Sequence, residues 1–208
     1  MMRFAITVVT TVLVALLLGA CESTEPRQPS VEQELAPEFR QQRVRDVAII
    51  PPTGMQFIAP SGIELPTPEA RYMMYIYMIR DRNYASPKPE WVDEKIASGA
   101  QTATQFDSDG VLTLDLEQWD ASMLGGNGSV YAGGTFKLID RSGQVLWRYR
   151  CTDMRIVVPP PFGTENTLQN LRYAARRFVE RCLDNLPASP RLSVDELKGE
   201  MQNPPPKP

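Results

Sequence analysis

Three cysteines and two pairs of carboxylates are the residues of this chain whose chemistry could carry a function. Cysteine supplies a nucleophile, a metal ligand or a disulfide, and paired carboxylates serve acid–base chemistry or bind Ca²⁺. The cysteines are Cys21, Cys151 and Cys182, and the carboxylate pairs are Asp107 with Asp109 and Asp115 with Glu117. The chain has no histidine, which excludes Ser-His-Asp and Cys-His catalysis and every imidazole metal site.

The spacing of the acidic residues favours structural roles. Asp115 and Glu117 alternate along a strand-like segment, so they share one face, which a solvated surface explains best. The acidic pairs lack the pattern and terminal Glu of a Ca²⁺ loop. No Gly-Lys-Ser/Thr follows the glycines of residues 125–128, which lie between two predicted strands and indicate a hairpin tip. We therefore predict no catalytic residue, no metal and no cofactor, and a protein that is not an enzyme.

The N-terminal segment predicts export from the cell. Arg3 precedes an apolar run over residues 4–18, which is shorter than the ~20 residues of a comfortable membrane span and typical of a signal peptide. An uncleaved membrane anchor is the alternative. The run ends in Leu18-Gly19-Ala20-Cys21, which resembles the lipobox of bacterial lipoproteins.

The lipobox resemblance implies where the protein resides. It implies that signal peptidase recognises Leu18, Gly19 and Ala20 and cleaves before Cys21, which then carries acyl chains such as palmitate. Two or more acyl chains give stable membrane anchoring. The next residue is Glu22 and not the Asp that resembles an inner-membrane retention signal, so we predict the outer membrane, facing the periplasm.

Cys151 and Cys182 remain as an even pair once Cys21 is assigned to lipid. The periplasm is oxidising, so we predict a disulfide between them, with two buried free thiols as the alternative. Cys182 lies on the apolar stripe of a predicted helix, where it could face the strand that carries Cys151.

Composition bounds the domain organisation. The chain has 208 residues, of which 42% are apolar and 23% charged, as expected of a globular domain with tails. The net charge of −3 predicts no nucleic-acid partner. We predict a signal peptide over 1–20, a lipidated tether over 21–43 in which 31–35 could form a short helix, an α/β domain over 44–186, and a disordered proline-rich tail over 187–208. The tail could serve a partner as a proline-rich ligand.

Hydrophobic periodicity predicts the order β, α, α, β, β, β, α. The predicted strands are 44–50, 111–119, 129–139 and 144–151, and the predicted helices are 67–82, 89–98 and 164–186. The first helix is apolar on nearly every face, so a strand is its alternative; Thr67-Pro68-Glu69 is a helix-start signal that favours the helix. The predicted fold class is α/β (α+β), a mixed sheet with an antiparallel C-terminal meander and helices packed on it.

Three motifs carry a family resemblance. They are Val47-Ala48-Ile49-Ile50-Pro51-Pro52, Asp109-Gly110-Val111-Leu112, and the hairpin from Leu138 to Trp147 that contains Asp140-Arg141-Ser142-Gly143. Together they resemble the TolB amino-terminal-like domain of bacterial outer-membrane lipoproteins, the CsgG- and LpoB-like group. The resemblance implies a TolB-like fold, roles in binding and assembly, and no catalytic residues.

These observations predict a lipid-anchored periplasmic protein that acts as a non-enzymatic accessory or assembly factor of the cell envelope. Its predicted partners are the membrane, through the acyl chains on Cys21, an unknown envelope protein, and copies of itself. The alternatives are an activator or enzyme of cell-wall synthesis, or a subunit of a secretion-associated homo-oligomer. A partner surface is predicted at Tyr72, Tyr75 and Tyr77 of the first helix and at Gly126 and Asn127 of the hairpin tip.

Overall fold

The computed structural model of the chain describes residues 29–54, 67–161 and 166–189. The predicted signal peptide, the lipobox with Cys21, and residues 190–208 of the predicted tail lie outside the described residues. Every helix within the described ranges is too short or too polar to cross a membrane.

A six-stranded mixed sheet forms the centre of the fold. Its strands are β1 (Ser30–Leu35), β2 (Val47–Ile49), β3 (Thr53–Gly54), β4 (Gly110–Asp120), β5 (Ser129–Asp140) and β6 (Val145–Val157). The order across the sheet is β1-β6-β5-β4-β2, and β3 also pairs with β4. β4, β5 and β6 form an antiparallel meander, β1 is antiparallel to β6, and β2 and β3 run parallel to β4. The predicted fold class is confirmed.

Four helices accompany the sheet: α1 (Thr67–Arg80), α2 (Pro89–Ala97), α3 (Leu124–Asn127) and α4 (Thr167–Leu183). α1 and α4 contact each other, and with one face of the sheet they enclose the main core. Leu112, Leu114 and Leu116 enter this core from β4, as their period-two spacing predicts. Trp147 of β6 is fully buried. The helical interpretation of 67–82 is confirmed, and its strand alternative was wrong.

In the described part of the chain, the opposite face of the sheet is covered at one end only. α2 and a 3₁₀ helix at Ala103–Phe106 enclose a small second core with β2 and the start of β4. Farther along this face Thr135 Oγ1 donates a hydrogen bond of 2.6 Å to Glu117, and Arg150 Nη2 donates one of 2.9 Å to the same carboxylate. These two bonds lower the pKa of Glu117, and Asp115 is exposed beside it. The face is therefore a charged, solvated surface.

The β5–β6 hairpin forms at the predicted turn. Asp140 Oδ1 accepts the N–H groups of Ser142 and Gln144 at 2.9 and 2.8 Å, and Gly143 has φ +87°, which glycine adopts without strain. A bulge at Gly133-Gly134 is present as a register shift between β5 and β6. A Cβ on Gly134 would lie 2.7 Å from the carbonyl oxygen of Asp115, so the strands approach closely there.

The prediction of a short helix at 31–35 was wrong, because this segment is β1. β6 continues to Val157, past the predicted end at Cys151, and β1 pairs along its outer side from Ser30 to Leu35. An ion pair of 3.0 Å between Glu34 and Arg148 joins the two strands. The described fold therefore begins at Ser30, inside the predicted tether of 21–43.

Two other boundaries differ from prediction. The glycines at 125–128 form the single helical turn α3 rather than a plain loop, and Gly128 ends it with φ +68°. At the other end of the chain the packed region passes the predicted limit of 186, because Tyr84 Oη donates to the Pro187 carbonyl at 2.8 Å. Ser189 N–H also donates to the Arg82 carbonyl at 2.8 Å.

Candidate functional site

A pocket of about 420 Å³ lies between the first turns of α1 and α2 and the residues after β2. Proline is favoured in the first turn of a helix because the N–H it lacks would have no partner there, so Pro68 and Pro89 meet where α1 and α2 begin. Pro51 and Pro52 end β2. The lining residues are Pro51, Pro52, Thr67, Pro68, Arg71, Tyr72, Pro89, Glu90 and Asp93.

Arg71 holds the inner wall of this pocket in place. Its side chain is 8% exposed, and its guanidinium donates to three acceptors in two other elements, β2 and α2. Nε donates to the carbonyl of Ile49 at 3.1 Å, Nη2 to the carbonyl of Pro89 at 3.2 Å, and Nη1 to Asp93 Oδ1 at 2.6 Å. One side chain of α1 thus ties the end of β2 to the start of α2.

The three tyrosines of the predicted partner surface have different environments. Tyr72 lines the pocket and is 53% exposed. Tyr75 is half-buried against the main core. Tyr77 is buried and donates a short hydrogen bond to Asp184 beyond α4, while Arg82 lies over its ring. Burial, followed by this hydrogen bond, raises the pKa of Tyr77 to about 12. Of the three, Tyr72 is the one that a partner could contact.

The predicted hairpin tip remains a separate candidate surface. Gly126 and Asn127 are both exposed, within α3. Asn127 Oδ1 accepts the N–H of Ser129 at 3.1 Å, which ties the helical turn to the start of β5. A role of these residues in partner binding stays a prediction.

Cys151 and Cys182 meet between β6 and α4. Both are fully buried as unbonded thiols, with their Sγ atoms 3.2 Å apart. Burial raises the pKa of Cys182, whereas the hydrogen bond from Cys182 lowers the pKa of Cys151. The hydrogen bond between the two sulfur atoms thus favours the thiolate of Cys151, the form that begins disulfide formation. The structure brings the predicted pair together, and the disulfide itself stays a prediction.

The acidic pair Asp107 and Asp109 supports the loop before β4. Asp109 Oδ2 accepts the backbone N–H groups of Arg45 and Asp46 at 3.0 and 3.1 Å, and its other oxygen lies 3.3 Å from Arg141. Burial and the nearby Asp109 charge raise the pKa of Asp46. These contacts join β2 to β4, which is a structural role. In the parts of the chain that the structure describes, no group of three or more Cys, Asp or Glu residues could hold a metal ion.

Among the residues that the structure describes, β1 pairs with β6 alone and forms an open edge of the sheet, which the sequence did not predict. The Ala36 N–H donates to the Leu146 carbonyl at 2.9 Å. Hydrogen-bonded pairs alternate along an antiparallel ladder, so the backbone groups of Val31, Gln33 and Leu35 point away from β6. Val31 and Leu35 are 53% and 42% exposed. Apolar side chains and outward backbone groups on one edge make a surface suited to strand addition.

Comparisons with known proteins bear on the fold. No protein-family model matches the sequence, and no curated protein is significantly similar to it. A PelC dodecamer from Paraburkholderia phytofirmans is 18% identical with a TM-score of 0.50, covering 77% of this chain and 99% of that chain. A variant of that protein is 19% identical with a TM-score of 0.49, covering 76% and 99%. Lipoprotein GNA1162 from Neisseria meningitidis is 14% identical with a TM-score of 0.37, covering 66% and 99%. The first likeness shows a shared fold.

Proposed function

We propose that the protein is a lipid-anchored accessory factor of the bacterial cell envelope that works through protein contacts and not through enzymatic activity. The open edge of β1 is the observation that carries this proposal. A protein chain extends at most ~3.6 Å per residue, so the interval from Cys21 to Ser30 keeps the first residue of β1 within about 30 Å of a lipidated Cys21. The edge is thus held near the membrane surface, where envelope assemblies are built.

Self-assembly is the second candidate, and the fold likeness to a protein described as a dodecamer favours it. A ring needs one head-to-tail contact repeated around an axis, so each copy must offer two different surfaces. β1 lies at one edge of the sheet, and β2 and β3 lie on the other side of β4. The two edges would supply the two surfaces of such a contact.

The anchoring part of the proposal is tested with Cys21→Ser. The substitution removes the thiol that takes the lipid, so we expect the protein to move from the membrane fraction to the soluble fraction or to remain an uncleaved precursor. Cell fractionation with immunoblotting gives the readout. Cys182→Ser is the matched control, which should stay with the membranes. Mature Cys21→Ser protein in the outer-membrane fraction would refute lipid anchoring.

The contact part is tested by placing lysines on the edge strand. The double substitution Val31→Lys and Leu35→Lys puts charges beside the outward backbone groups, which disfavours addition of another strand. We expect the adducts formed by in-cell crosslinking to decrease at least about tenfold, since strand addition has to desolvate these charges. Ile79→Lys, at a position 40% exposed on α1, is the control and should leave the adducts unchanged.

The captured species separates the candidate functions. A single envelope protein supports an accessory role, and a ladder of the protein's own multiples supports self-assembly. Unchanged adducts in the β1 variant would show that β1 is not the contact surface. Turnover of a cell-wall precursor by the purified protein would contradict the non-enzymatic proposal.

A further inference from the structure

We propose that the pocket between α1 and α2 binds the proline-rich tail of the same chain, Pro204-Pro205-Pro206-Lys207-Pro208. Three features favour this pairing: proline and tyrosine rings line the pocket, the pocket and the tail carry opposite charges, and the chain is long enough to join them. The proposal is independent of the function proposed above.

Much of the pocket wall is formed by the rings of proline and tyrosine side chains. Four prolines and Tyr72 line it: Pro51, Pro52, Pro68 and Pro89 supply the rest of the apolar wall. Proline-rich segments form a preordered extended helix with three residues per turn, and their rings pack into grooves lined by aromatic side chains. A volume of about 420 Å³ suits a few residues of extended chain rather than a helix. A segment that is preordered in this way loses little conformational entropy when it docks.

The negative charge of the pocket lining favours a basic segment as its occupant. Asp93 is neutralised by Arg71 at 2.6 Å. Glu90, the other acid of the lining, is exposed and makes no ion pair among the residues that the structure describes. Lys207 lies within the proline run, so its ammonium group would reach this carboxylate while the neighbouring rings pack against Tyr72. Such exposed pairs contribute little affinity and mainly set the register of the bound segment.

The tail is long enough to reach the pocket. Ser189 hydrogen-bonds to Arg82 and Val44, near the C-terminal end of α1. The pocket lies at the N-terminal end of α1, which at 1.5 Å per residue is about 20 Å away. Residues 190–204 in an extended proline-type helix would span ~45 Å at 3.1 Å per residue. A linker with this slack gives the tail an effective concentration near the pocket on the order of 1 mM, so weak docking suffices.

Zero-length crosslinking of the full-length protein tests the contact. A carbodiimide joins a lysine amine to a carboxylate only when the two touch, and peptide mass spectrometry identifies the linked residues. We expect a Lys207–Glu90 crosslink in the monomeric protein. Tyr72→Ala, and separately the double substitution Pro204→Ala with Pro206→Ala, should each reduce its yield about fivefold through loss of ring packing.

Matched controls exclude a nonspecific reaction. Glu94 is exposed on α2 outside the pocket, so Glu94→Gln should leave the yield unchanged whereas Glu90→Gln abolishes the Lys207–Glu90 product. A free peptide of residues 200–208 should compete only near millimolar concentration, because the attached tail has the advantage of its linker.

Three results would overturn the proposal. The first is a Lys207 crosslink spread evenly over exposed carboxylates and insensitive to Tyr72→Ala. The second is a Lys207–Glu90 crosslink found only between differently isotope-labelled copies, which would place the tail of a second copy in the pocket. The third is unchanged yield with the proline substitutions. A crosslink of Glu90 to another protein instead would assign the pocket to that protein.

Discussion

Oxidation of Cys151 and Cys182 to a disulfide is expected to raise the free energy of unfolding by about 3–4 kcal/mol. The two residues are 31 positions apart, and a bond between them removes the closure entropy of a loop of that size from the unfolded chain. In the folded protein the two sulfur atoms are already in contact, so forming the bond requires little rearrangement of the native structure. The reaction transfers two electrons and two protons to an oxidant such as oxidised glutathione, which is reduced to two thiols.

Urea unfolding of the oxidised protein with and without dithiothreitol measures this difference. The double substitution Cys151→Ala with Cys182→Ala is the control, and its stability should not respond to the reductant. Equal stability of the wild-type protein in both conditions would contradict the prediction. Two alkylatable thiols in protein isolated from cells without reductant would show that the pair remains reduced in the cell.

A disulfide at this position would also stabilise β1, the edge strand proposed as the contact surface. Val31 of β1 pairs with Cys151 of β6, so the bond to α4 would form directly behind the β1–β6 ladder, close to the end at which β1 begins. β1 is exposed at every residue and depends on β6 for its backbone partners. A more rigid β6 therefore means a better ordered edge. We therefore expect the disulfide to strengthen the contacts that are made through β1.

The sequence predicted the elements that carry a strong local pattern. β4 alternates apolar and polar residues, the β5–β6 turn contains Asp140 and Gly143, and α4 shows a stripe with helical spacing. Each of these signals lies within one element or one turn, where short-range sterics and burial decide the conformation. The meander and the last helix follow from such signals.

The parts that the sequence did not predict depend on contacts between distant residues. β1 has charged residues between Val31 and Leu35 and no buried face, so its strand conformation comes from pairing with β6, which lies more than a hundred residues away. The pocket likewise forms from three separate segments that Arg71 joins. The Arg within the apolar run of α1 was the one sequence signal for it, since a buried guanidinium needs several acceptors around it.

Replacing Arg71 with methionine is expected to lower the free energy of unfolding by about 2–3 kcal/mol, because two carbonyl groups and a carboxylate lose their donor at once. Methionine keeps most of the unbranched aliphatic volume, so the effect reports the lost hydrogen bonds rather than a cavity. The value lies below that of a fully buried ion pair because Asp93 is 54% exposed and is solvated once Arg71 is gone.

Arg80→Met provides the matched control for this prediction. Arg80 belongs to the same helix and pairs with Asp81 at 2.8 Å, but its side chain is 64% exposed, so its removal should leave the stability nearly unchanged. Urea denaturation of both variants gives the comparison. Equal stabilities would show that Arg71 does not hold β2, α1 and α2 together. A large loss confined to Arg71→Met would establish that the pocket wall depends on one guanidinium.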